Sequence, residues 1–485
     1  MKLIKLMTSA ALLLAAFQLF ASPLQAAAAA PYEGYSYSYW GTTSTTPNAY
    51  LPETVVNGVE QGIGKFKEPT DLYVDDEGQL YVLDAGNGRI VVFDEQWKVV
   101  RQIRGFQNGG KQDQFANPQG LFVTKKGQIF VADTDNSRVV ELTNEGEFVR
   151  EIGAPKSEVI REGFEYFPKK VGVDNAGRIY VIGRGVFDGI IEFDSDGSFS
   201  GFMGTNRVKF DVWDYFWKKL STKAQRSKLA QFVPLEFNNL DIDQEGFIYT
   251  TTAEVNSADP IKRLNSTGVD VLRREGYFFP RGDVYSSNPN ASSILIDVQV
   301  GPNGVYSALD SRKGRVFTYN EDGNLLYVFG RIGTQEGTFK TPVAVESRGS
   351  QFFVLDQGMN RINVFSPTRY GSLINEANAL LVSGDYNGAE SKWRELLRLD
   401  ANNEIAYVGI GKAMLRQGEN KLAMENLKLG YDRVYYSKAF GKYRKEMTRK
   451  YFGAGMTVVF VLIAALWSWS IIKRRSTGKV KANVI

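Results

Sequence analysis

Residues 69–94 read PTDLYVDDEGQLYVLDAGNGRIVVFD, and this stretch decides the fold. Leu72, Val74, Tyr81 and Leu83 alternate with their neighbours at period 2, the period of a strand. Asp76, Glu77 and Gly78 between the two runs make a hairpin turn, with glycine supplying positive φ. A third strand follows from Arg89, and Val99 to Ile103 supplies a fourth.

The same pattern recurs outward along the chain. It returns at Pro118–Val123 with Ile129–Val131, at Val171–Asp174 with Ile179–Val181, and at Leu240–Asp243 with Ile248–Tyr249. It returns again at Val298–Val300 with Val305–Tyr306, and at Pro342–Val345 with Phe352–Val354. The turn glycines fall at 78, 127, 177, 246, 304 and 349. Four short strands at this spacing are the signature of a propeller blade, and six blades closing radially protect edges that an open row would leave bare. The expected fold is an all-β six-bladed propeller over residues 60–368. A strand around Leu51–Val56 should complete the last blade. A small α-helical repeat region and one transmembrane helix should follow.

These repeats resemble the NHL-repeat family of six-bladed propellers. Blades one, two and six are close to its pattern; blade three has Gly183 where the family has Asp, and blade four has Thr250, Thr251 and Thr252. Propellers host many activities, so the resemblance implies a fold rather than a function. The pairs Asp84/Arg89, Asp133/Arg138, Asp310/Arg315 and Asp356/Arg361 recur in four blades, with Asn87 and Asn136 beside the first two. Repetition reads as turn-stabilising ion pairs, not catalysis.

The whole chain of 485 residues has Cys 0 and His 0. Thiol nucleophiles, Cys-ligated metals, His-based triads and His-ligated zinc are thereby excluded. The NHL-type amidating lyases use His-bound zinc, which this chain lacks the residues to hold. Net charge is +4, too balanced to point to nucleic acid.

Departures from the repeat point to binding, because loops carry function. An insertion at 204–232 places Trp213, Phe216, Trp217 and Leu220 at helical spacing. A second, at 273–293, carries Tyr277 and Arg281, suited to carbohydrate or peptide contact. Aligned at Asp71, the innermost strands line the channel with Asp71, Gly120, Lys170, Asn239, Asp297 and Ala344. Asp71, Asn239 and Asp297 could together hold calcium or another divalent cation through oxygen. The gluconolactonase class of six-bladed propellers uses ligands of this kind. Lys170 argues against it, because an ammonium repels a cation.

The termini set the expected compartment. Residues 1–30 read as a secretory signal, with Lys2 and Lys5 before an apolar run from Ala10 to Ala21, and 31–59 as an extracytoplasmic N-terminal segment. From Tyr370 the period turns helical. Gly384 and Gly418, and Ala389 and Ala423, lie 34 residues apart, so 370–450 resembles tetratricopeptide repeats. Phe452 to Ile472 is uncharged and long enough to cross a bilayer, and 473–485 is a basic, cytoplasmic tail. The expectation is a single-pass cell-membrane protein whose extracytoplasmic propeller binds or scaffolds a protein partner, carbohydrate or peptide, without cofactor, rather than an enzyme. The alternative is a metal-dependent hydrolase of the gluconolactonase-like type.

Overall fold

The computed structural model describes residues 30–157, 160, 163–204, 236–252, 257–285 and 291–481. The expected signal up to residue 29, and residues 205–235 with Trp213 and Trp217, lie outside these.

Six antiparallel sheets are arranged as blades. Blade one joins Asp71–Val74, Leu80–Asp84, Arg89–Phe93 and Val99–Ile103 in sequence order. Its second and third strands are buried at every position, so their apolar residues serve both sheet faces. Tyr81, Leu83, Ile90 and Val92 pack with Leu121, Val123 and Val131 of blade two. Leu80, Val82 and Val91 pack with Phe353, Leu355 and Ile362 of blade six. Each blade thus buries both faces against its neighbours, which holds the ring together by apolar burial. The six turn glycines all have positive φ, from 59° at Gly349 to 85° at Gly246, and in blades one to four the glycine N–H bonds the carbonyl three residues before it.

The ring closes as expected. Tyr50–Val56 pairs antiparallel with Arg361–Pro367 and completes blade six. Blade four differs from the expected four strands. Its described residues give three, Phe237–Ile242, Ile248–Thr252 and Ile261–Leu264, followed by a lone bridge between Leu264 and Asp270. The Asp270 carboxylate accepts the backbone N–H groups of Arg263, at 3.1 Å, and Leu272, at 3.0 Å, so a side chain takes up donors a fourth strand would have used.

The repeated Asp also differs from expectation. Asp84 and Arg89 pair at 2.7 Å, and Asp133 and Arg138 at 2.9 Å. Arg315 pairs instead with Asp283, at 2.9 Å, and Arg361 donates to the carbonyls of Gln335 and Thr338. What recurs in all four blades is another bond. Asp84, Asp133, Asp310 and Asp356 accept the backbone N–H of Lys67, Ala116, Ile294 and Lys340, at 2.7, 2.7, 2.9 and 2.8 Å. Each carboxylate clamps the linker that leads into its own blade.

Five helices follow the propeller: α1 Arg369–Ser383, α2 Tyr386–Leu399, α3 Glu404–Gln417, α4 Asn420–Leu429 and α5 Arg433–Lys481. Thr368, Asp385 and Asn403 cap the first three, each accepting an N–H three residues on. Gly384 and Gly418 end α1 and α3 in the left-handed conformation. Trp393, Leu373 and Ile374 share one core with Tyr50, Phe329 and Phe365 of the propeller. Lys412 Nζ lies 2.6 Å from Asp322 Oδ2, tying α3 to blade five. Within α5, an exposed stretch up to Arg474 is long and apolar enough to cross a membrane.

Candidate functional site

The six ring positions read from the sequence occupy one register. Asp71, Gly120, Lys170, Asn239, Asp297 and Ala344 pair with Leu83, Ala132, Ile182, Thr251, Leu309 and Leu355, the equivalent site of each second strand. Lys170 Nζ lies 2.5 Å from Asp71 Oδ1, so a blade-three lysine reaches a blade-one carboxylate. Blade two, between them, contributes Gly120 to this ring; a Cβ there would lie 2.8 Å from the Lys170 Cα. Burial opposes the charge on Lys170, but Asp71, Asp297 and Glu346 outweigh it and push its pKa up.

The channel carboxylates also join blades. Asp71 accepts the N–H of Leu121 at 2.8 Å, and Asp297 that of Val345 at 2.6 Å. Asp241 accepts that of Val300 at 2.7 Å. Each bond runs from one inner strand to the next around the ring and satisfies a donor that no sheet ladder reaches.

Calcium or another divalent cation does not fit this ring. The Lys170 ammonium stands against Asp71, where a cation would have to sit. The Asn239 amide oxygen is taken by the N–H of Leu240 at 2.6 Å. Among the described residues no three Asp or Glu side chains are grouped as metal ligands.

Two residues further along each inner strand lies a second ring: Tyr73, Phe122, Gly172, Asp241, Gln299 and Glu346. Sequence reasoning passed over it, although adding the strand period to each first-ring position finds it. Aromatics stand on blades one and two, with Tyr73 and Phe122 4.9 Å apart between ring centres. Carboxylates and an amide stand on blades four to six. Burial lifts Asp241 to about 6, against the pull of its two backbone N–H bonds. Burial lifts Asp297 to about 7; Lys170 opposes this and Asp71 adds to it. Burial, then Asp241, Asp297 and Asp71, raise Glu346 well above the usual carboxylate range.

Every residue of this second ring except Gly172 lines a cavity of about 1290 Å³ that opens at the hairpin end of the channel, between the six first-hairpin turns. Eleven carboxylates line it against five basic groups. Glu141 is paired with Arg150, and Asp243 and Glu245 with Arg263. Asp75, Asp76, Glu77, Glu95, Asp241 and Glu346 have no basic partner within 4.0 Å among the described residues.

Tyr277 and Arg281 sit elsewhere. The Tyr277 hydroxyl donates to the Tyr37 carbonyl at 3.0 Å, and Phe278 stacks on Tyr37 at 3.9 Å. Asp283 accepts from Tyr35 and Tyr37, at 2.7 and 2.6 Å. This loop binds the N-terminal hairpin of Gly34–Tyr37 and Thr43–Thr46 to blade five. Neither Tyr277 nor Arg281 lines the large cavity.

The NHL repeat pattern matches residues 66–93 and 115–142, within blades one and two. No curated protein matches the sequence significantly. Among solved structures, the chain is similar to virginiamycin B lyase from Staphylococcus aureus, at 10% identity and a TM-score of 0.38, over 68% of this chain and 87% of that one. A protein of unknown function from Bacteroides thetaiotaomicron matches at 12% identity and 0.43, over 70% and 76%. Another of unknown function, from Bacteroides caccae, matches at 10% and 0.34, over 61% and 92%. The chain is therefore a six-bladed β-propeller carrying NHL repeats, followed by helices of which the last is able to span a membrane.

Proposed function

We propose that this chain is a membrane-anchored, extracytoplasmic binding module, and that its ligand enters the hairpin-end cavity. The observation that carries this reading is the cavity itself: about 1290 Å³, open at one end, lined from all six blades. Ligand sites favour such concave places with a few convergent polar groups. The first ring supports binding over metal-assisted hydrolysis, because Lys170 already neutralises Asp71. The apolar run in α5 acts as the anchor, and the signal-like segment at 1–30 directs the propeller outward, leaving the basic tail in the cytoplasm. The helices α1 to α4 form a tetratricopeptide-like neck, supported by the matching caps at Gly384 and Gly418. The ligand is a peptide, a carbohydrate or a segment of a protein partner.

Photo-crosslinking in native membranes tests this. A photoreactive residue at Lys125 or Lys126, on the cavity rim, should give one discrete adduct. The same residue at Val149, exposed on the outer strand of blade two, should give none. Equal labelling from both positions would defeat the reading.

A further inference from the structure

The second ring has a chemistry of its own. Asp241 and Glu346 present carboxylates without a basic partner, and Tyr73 and Phe122 present aromatic surface from blades one and two. Gln299 is an independent sign. It is 6% exposed, lines the cavity, and its amide makes no hydrogen bond among the described residues. That amide opens on the cavity rather than being sealed in protein, so its hydrogen bonds are left for water or a ligand. Beyond the ring, the carboxylates continue outward through Asp75, Asp76 and Glu77 to the rim. Acidic groups therefore run from the floor to the mouth in steps.

Lys170 shows what such a channel accepts. Its ammonium sits between carboxylates one ring deeper and stays charged there. No cation lies within 4.0 Å of Asp241 or Glu346 among the described residues. We propose that the cavity binds an aliphatic ammonium chain. One ammonium is held on the floor by Asp241, Glu346 and the Gln299 carbonyl, with Tyr73 and Phe122 against its flank. Further ammonium groups lie along the outer carboxylates. Aromatic faces attract cations, most strongly where water is excluded, and carboxylates bond ammonium groups through charge-assisted hydrogen bonds. A point-like metal ion would leave the aromatic half of the ring unused. An uncharged sugar would leave the row of acidic groups without a cationic partner. A free polyamine and a lysine-rich peptide offer the same chemistry.

This inference rests on the reading of the cavity as the binding site. The test titrates the full chain in detergent micelles with spermidine, with trilysine, with magnesium chloride at matched charge, and with a neutral trisaccharide. Saturable heat of binding is expected for spermidine or trilysine, and the tighter of the two identifies the source. Glu346→Gln and Asp241→Asn should each weaken it at least tenfold with the thermal melt retained. Glu145→Gln, on the turn before the outer strand of blade two, should leave it unchanged. No saturable binding, binding matched by magnesium, or binding indifferent to both floor variants overturns the proposal. If the amines fail while rim crosslinking still gives its single adduct, the ligand class is wrong and the cavity reading survives. If both fail, the cavity is not the site.

Discussion

Asp297 carries three duties on one side chain: it latches Val345, faces Lys170, and stands buried among other acids. Its folded pKa of about 7 lies above the ordinary value of 3.8. Between those values the folded chain holds a proton that the unfolded chain lacks. Stability from this group is complete below the lower value and is lost as pH rises through 7. The titratable groups facing it are Lys170, Asp71, Asp241 and Glu346. Asp297→Asn should therefore be the more stable protein at pH 8, by about 2 kcal/mol, and show a smaller gap at pH 5. Urea melts at both pH values check this; a variant destabilised equally at each would contradict it. The first ring was legible at this scale because the strand period and the turn glycines fix the register. Which partner each side chain takes was not. Arg315 turns to Asp283, which the sequence places 32 residues away in a loop without a repeat pattern.

At the scale of elements, blade six depends on a strand from the other end of the domain. Tyr50 is 1% exposed and packs among Tyr327, Phe329 and Phe352, with ring centres 4.9 to 5.2 Å away. Its hydroxyl also accepts from Asn375 of α1 at 2.9 Å, so one residue links the closing strand, blade five and the neck. Tyr50→Ala should cost about 3–5 kcal/mol and lower the melting temperature of propeller and neck together. Two separated transitions, with the propeller unmoved, would contradict a shared core. The closing strand could be read from the sequence because Leu51–Val56 supplied the strand that blade six lacked. The shortened blade four could not, since the cause is one carboxylate, Asp270, competing for ladder donors. The linker clamps were hidden for a related reason. The repeat displays Asp and Arg together, but the bond that recurs goes to a backbone N–H 16 or 17 residues upstream.

At the scale of the molecule, one helix runs from the neck into the apolar run. The residues from Arg433 to Tyr451 would hold the neck about 28 Å from the bilayer at helical rise. The hairpin end of the channel, where Val382 of α1 joins the cavity lining, is the end that meets the neck. The central claim is that this end receives the ligand. Cryo-electron microscopy of the full chain, purified gently from native membranes, tests it most directly. The account predicts density in the cavity, reaching from Gln299 and Glu346 on the floor past the turn at Lys125. A cavity holding only solvent, with the partner seated on the outer strands or the linker end, would contradict it.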